Sequence, residues 1–113
     1  MDNNLEDGFE FVCRKSDLKE NIGCRFIIDD IEIALFKVAD KVFALSNICP
    51  HQHTALIYNG MIEEGCIVCP VHGWMFDLKT GNKKSGSKGL DTYPVRITNE
   101  EVFVKVLPKE FRW

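Results

Sequence analysis

Two short segments constrain this chain more than anything else in it. Cys49-Pro50-His51 is followed, after seventeen residues, by Cys69-Pro70-Val71-His72-Gly73-Trp74. Each segment carries one thiol and one imidazole. A Cys-x-His spacing lets one tight loop direct both side chains to the same side. Pro50 and Pro70 each follow a cysteine and fix φ there, which stiffens the loop. Gly73 permits a close turn or a positive φ after His72. A fold that serves both segments has to bring two such loops together at one end of a scaffold.

The rest of the chain reads as that scaffold. Phe9 to Arg14 alternates, with Phe9, Phe11 and Cys13 on one face. Cys24 to Ile28, Ile31 to Val38 and Lys41 to Leu45 are short β-rich runs. Asp29-Asp30 and Ala39-Asp40 stand between them as turn signals, so an antiparallel meander is expected. Ser16 is the expected cap of one helical turn over Ser16 to Glu20. Ser46 to about Tyr58 forms the first ligand loop, and Asn59-Gly60 is a turn signal. Met61 to Val68 is a strand pair folded about Glu63-Glu64-Gly65. Met75-Phe76-Asp77 is a short strand, and Thr80-Gly81 closes a turn. Asn82 to Gly89 is a polar exposed loop with Lys83, Lys84 and Lys88. Thr92 to Thr98 and Glu101 to Val106 are two further strands, and Leu107 to Trp113 is a tail. Short strands with little helix predict an all-β sandwich or small barrel.

Bulk properties narrow the function. The length of 113 residues predicts one domain, residues 1–113. A net charge of −3 argues against nucleic acid or an anionic membrane as partner. No apolar run approaches a membrane span, and the acidic start Met1 to Glu10 does not read as a secretion signal. The expected compartment is the cytoplasm. The five cysteines are an odd number. In a reducing compartment that points to metal binding for some, not to a disulfide framework. No phosphate loop, dinucleotide fingerprint or Ser-His-Asp arrangement occurs, so catalytic turnover by this chain alone is not expected.

Two thiolates and two imidazoles suit a two-iron cluster with cysteines on one iron and histidines on the other. They also satisfy a tetrahedral zinc site, although zinc fingers pair cysteine with cysteine and histidine with histidine. Cys66 forms a C-x-x-C with Cys69, but on a strand residues three apart point to opposite faces. Cys66, Cys13 and Cys24 therefore read as small buried side chains. His53 reads as an exposed loop residue near the site.

The run Cys49-Pro50-His51, Leu56, Gly60, Cys69-Pro70-Val71-His72-Gly73-Trp74, Phe76-Asp77, Thr80-Gly81 and Tyr93-Pro94-Val95 resembles the Rieske ferredoxin family, over about Phe9 to Val106. The resemblance implies an antiparallel β-sandwich base with a small two-loop cluster-binding subdomain, at about residues 46–77. It implies one [2Fe-2S] cluster, with Cys49 and Cys69 on the inner iron and His51 and His72 on the outer, solvent-facing iron. It implies a single-electron carrier between a reductase and a terminal oxygenase. The small subunit of an NAD(P)H-dependent nitrite reductase is the second function of the same type, and a zinc-stabilised interaction module the third. Trp74 and the lysines of the polar loop are candidates for the rim of the electron exit, against a plain solvated loop.

Respiratory and photosynthetic members of that family carry a further cysteine in each loop, where Thr54 and Val71 stand here. They carry a serine and a tyrosine where Trp74 and Phe76 stand. Without those hydroxyl donors the reduced cluster is less stabilised. The expected potential lies at the low end of a range of roughly −150 to +300 mV.

Overall fold

The computed structural model describes residues 8–49, 54–71, 73–83 and 89–106. His51, His53, His72, Lys84, Lys88 and the tail from 107 lie outside the described residues. Ten strands form three antiparallel sheets, with two 3₁₀ turns and no α-helix among the described residues. The strands are β1 (Phe9–Arg14), β2 (Gly23–Ile28), β3 (Ile31–Val38), β4 (Lys41–Ser46), β5 (Met61–Glu63), β6 (Cys66–Val68), β7 (Met75–Asp77), β8 (Thr92–Tyr93), β9 (Val95–Thr98) and β10 (Glu101–Lys105).

The central sheet runs β2-β3-β4-β8. Its hairpins turn on Asp29-Asp30 and Ala39-Asp40, all four residues at positive φ between 51° and 67°. Two consecutive left-handed residues give the turn whose twist matches the strands it joins. Asn99-Glu100 repeats the device between β9 and β10.

β3 explains the layering. Ile33, Ala34, Leu35 and Phe36 have no exposed surface, so both faces of the central sheet are covered. Ile33 and Leu35 join Cys13, Leu18, Ile28, Ala44, Val102 and Val104 in one core, against the sheet β1-β10-β9. Ala34 and Phe36 join Leu45, Ile57, Ile67, Phe76, Cys49 and Cys69 in a second core, against the sheet β5-β6-β7. The strand period of two sends alternate side chains to opposite layers.

Several local expectations change. β1 is not part of the meander: it pairs with β10, at the other end of the chain. A bulge between Phe11 and Cys13 adds a residue to β1, which interrupts the expected alternation and leaves Phe11 54% exposed. The run Thr92 to Thr98 divides at Pro94, with β8 in the central sheet and β9 in the β1 sheet. Proline has no N–H to donate to a ladder, so the strand changes partners there. The first helical turn is Lys15–Asp17, not Ser16 to Glu20. Its cap is the Asp17 carboxylate, which accepts the Arg14 N–H at 3.0 Å, while Ser16 lies within the turn. The turn signal Asn59-Gly60 falls at the end of a second 3₁₀ turn, Ile57–Asn59, with Gly60 as its C-cap. Gly60 is required there because a Cβ would collide with the Val68 carbonyl. Cys24 is partly exposed, not buried.

Candidate metal centre

The first ligand loop leaves β4 at Ser46, and its anchor is Asn47, which has no exposed surface. Asn47 Nδ2 donates to Glu32 Oε1 at 2.9 Å and to the Ala55 carbonyl at 3.1 Å. Its Oδ1 accepts the Tyr58 N–H at 2.8 Å. Its backbone N–H donates to the Glu32 carbonyl and its carbonyl accepts the Ile57 N–H. One side chain thus fastens both ends of the loop to β3. Glu32 is held in turn by Arg25 of β2, through Nε to Oε1 at 2.9 Å and Nη2 to Oε2 at 2.6 Å. That forked pair, with Asn47 as a further donor, holds the Glu32 carboxyl below its ordinary range against the opposing effect of burial.

Within the loop the Cys49 N–H donates to the Thr54 carbonyl at 2.9 Å. The second ligand loop joins β6 to β7. The Cys69 N–H donates to the Trp74 carbonyl at 2.8 Å, and the Gly73 N–H donates back to the Cys69 carbonyl at 2.9 Å. Gly73 sits at φ 75°, so a residue that tolerates the left-handed region is needed to close this turn.

The two loops bring Cys49 and Cys69 together. Both are buried, at 0% and 1% exposure, and their Sγ atoms are 3.5 Å apart. A disulfide would place them near 2.05 Å. Two thiolates on one tetrahedral metal ion, each at about 2.3 Å, lie about 3.7 Å apart. The pair therefore fits a shared metal, as donor chemistry and as spacing. His51 and His72 fall outside the described residues, so only the cysteine half of the expected ligand set has described geometry.

The other cysteines are elsewhere. Cys66 is buried on β6, paired with Glu63 and Asp77. Cys13 lies in the opposite core, where burial, with the nearby Asp17 carboxylate and the Cys24 thiol, pushes its thiol up to about 11. Around the second loop Lys83 Nζ sits 3.8 Å from the centroid of the Trp74 ring, which is tilted against Phe76 at 6.4 Å. Leu56 and Val71 are exposed at the loop tips. Sequence reasoning missed Asn47, Glu32 and Arg25. No local pattern singles them out: Asn47 follows Ser46 in what reads as the start of an ordinary loop. Sequence reasoning also read Thr54 only as a replaced cysteine, whereas the Thr54 hydroxyl is buried with no hydrogen-bond partner among the described residues.

An all-β scaffold that brings two buried thiols together on adjoining loops offers half of a metal-binding ligand set. The profile of the Rieske-like [2Fe-2S] domain matches residues 8–105, and the chain belongs to that family. Its cofactor is accordingly one Rieske-type [2Fe-2S] cluster. Among relatives, the anthranilate 1,2-dioxygenase ferredoxin subunit of Burkholderia cepacia is 37% identical over 76 residues, 66% of this chain and 69% of that protein. A chain in the solved complex of reduced oxygenase and oxidized ferredoxin in carbazole 1,9a-dioxygenase is 26% identical, with a TM-score of 0.75, over 84% of this chain and 99% of that one. A structure described as a putative NADH-dependent nitrite reductase small subunit from Mycobacterium tuberculosis has a TM-score of 0.83 over 88% of this chain and 96% of that one. At 22% identity the last is a likeness of fold.

Proposed function

We propose that this chain carries single electrons from a reductase to a terminal oxygenase, through a cluster held by Cys49, His51, Cys69 and His72. The observation that carries the reading is the buried Cys49–Cys69 thiol pair, 3.5 Å apart, in a Rieske-family chain. The assignment of His51 and His72 rests on their spacing from those cysteines and on the donor chemistry of the family. When bound, the cluster takes up and releases one electron at a time.

The chain's own residues supply the setting. Cys49 and Cys69, buried in the core of Phe36, Ile57, Ile67 and Phe76, would hold the cluster from its thiolate side. That surrounding excludes water from the thiolate side. Asn47, Glu32 and Arg25 keep the first loop from opening. Trp74 carries Lys83 over its ring, and Leu56 and Val71 are exposed on the first and second ligand loops. Such a surface suits a small, brief and salt-sensitive contact with a partner protein. Residues 1–113 are read as a single domain, with residues 46–77 as its cluster-binding subdomain. The compartment proposed is the cytoplasm; no described helix is long and apolar enough to cross a membrane.

The test is absorption and low-temperature EPR on protein purified without air, before and after dithionite. A red-brown protein with a rhombic reduced signal, of average g below the free-electron value, is expected. A colourless, silent protein carrying one zinc overturns the reading. Reduction of the loaded protein by a reductase, followed by single-turnover oxidation by an oxygenase component, tests the partners. A stable complex with a sirohaem flavoprotein would instead favour the nitrite reductase reading.

A further inference from the structure

One face of the sheet β1-β10-β9 carries Cys13, Val102 and Val104 into the core shared with the central sheet. The register places Phe9 beside Lys105 and Phe11 beside Phe103 on the other face, with Arg96 next to Phe103 from β9. Neither core of described residues forms on that side. Its three rings are closed unequally. Arg96 reaches across β10 to 4.2 Å from the Phe9 ring centroid, and Lys105 Nζ lies at 5.9 Å. Phe103 meets Phe11 edge-on, with centroids 5.9 Å apart. Phe9 and Phe103 are buried, whereas Phe11 is 54% exposed.

We propose that residues 107–113 fold back over this face and pack Phe111 and Trp113 against Phe11. The chain runs from β10, the middle strand of this sheet, straight into that segment. Val102, Val104 and Val106 belong to the core, so the strand period carries Leu107 to the side of Phe103 and Lys105. Pro108 has no N–H to donate to a ladder, so pairing ends there and the chain is free to turn. Phe11 stands beside Phe103, about 13 Å back along the strand from Leu107. The six residues after Leu107 span up to about 20 Å, which is enough to return over Phe11. The other end of the chain fits less well: residues 1–7 hold three carboxylates, with only Met1 and Leu5 as apolar side chains. Aromatic rings bury about 150–250 Å² each and pack edge to face on one another, as Phe111 and Trp113 would on Phe11. A patch closed by the chain's own tail is not open to a second copy. The face lies on the opposite side of the central sheet from Cys49 and Cys69, so this docking is independent of the metal centre.

The experiment uses the whole chain, cluster-loaded and labelled with 5-fluorotryptophan, read by ¹⁹F NMR in H₂O and in D₂O. Trp113→Phe assigns the two signals, from Trp74 and Trp113. The Trp113 signal is expected away from the position of free fluorotryptophan, with little solvent isotope shift. Phe11→Ser is expected to move it to the free position with the full isotope shift. Ile27→Ser, which changes an equally exposed side chain on β2, is expected to leave it in place. Where Phe11→Ser does not fold, Phe11→Leu removes the ring, keeps an apolar side chain and is expected to displace the signal. A wild-type Trp113 signal at the free position overturns the proposal. So does one that the Phe11 variants leave unmoved, or that Ile27→Ser moves as far. A dimer in sedimentation velocity that Phe11→Ser returns to monomer also overturns it, because a second copy then occupies the face.

Discussion

Asn47 makes five hydrogen bonds from a position with no exposed surface. Asn47→Leu would remove its three side-chain bonds and with them a partner of the part-buried Tyr58 N–H and Ala55 carbonyl. Each lost partner costs about 1–3 kcal/mol, so a loss of about 2–4 kcal/mol is expected in urea unfolding. A loss below about 1 kcal/mol would mean that the loop is held by its apolar contacts alone. Loosening the loop also bears on the metal: outer-shell changes of this kind lower metal affinity about 10- to 100-fold, which the rate of cluster bleaching on exposure to a chelator would read. Asn47 was not legible in the sequence, because an asparagine before a ligand cysteine reads as ordinary loop. Only the fold shows that its amide faces Glu32 from a strand fifteen residues earlier.

Hairpins and their cross-links are the next scale. Ala39 occupies the left-handed region at φ 52°, where an L side chain other than Asn or Asp is strained. Ala39→Gly should therefore stabilise the protein by about 0.5–1 kcal/mol, the relief of strain exceeding the added entropy of the unfolded chain. A lower melting temperature for the variant would show that the Ala39 methyl contributes contacts that outweigh the strain. The Arg25–Glu32 pair joins β2 to β3 and gives the fold a pH dependence. The folded pKa of Glu32 is depressed, chiefly by its bonds to Arg25. Its contribution is thus complete above the ordinary glutamate value of 4.5 and fades as pH falls through the lower folded value. Stability measured from pH 6 down to about pH 3 should drop less steeply in Glu32→Gln than in wild type. Parallel curves would remove Glu32 as a contributor. At this scale the sequence was most legible. The boundaries of β1, β3 and β7 and the turn pairs Asp29-Asp30 and Ala39-Asp40 followed from alternation and from turn chemistry. The Pro94 break and the Phe11 bulge did not, because each depends on which strand lies alongside.

For the whole molecule the organising fact is a central sheet shared by two cores. Phe36 and Ile33 lie on the same strand, both fully buried, and face opposite layers. Phe36→Ala and Ile33→Ala should each destabilise by about 2–5 kcal/mol. Their effects on the metal centre should differ. Phe36 belongs to the core that contains Cys49 and Cys69, so its loss is expected to speed cluster bleaching and shift the midpoint. Ile33→Ala is expected to leave the midpoint and EPR line positions of the folded fraction unchanged. Equal shifts in both would show that the two layers act as one unit.

The sequence by itself determined the strand class, the hairpin turns and the identity of the thiols that meet. Those follow from side-chain period, from φ preferences and from metal-donor spacing, all of which are local. Which strand closes on which, that β1 pairs with β10 across almost the whole chain, and that Asn47 reaches Glu32 were decided by tertiary structure. The physical reason is the same in each case. A buried hydrogen bond or a packed layer has its value only once its distant partner is in place, and no local pattern in the chain names that partner.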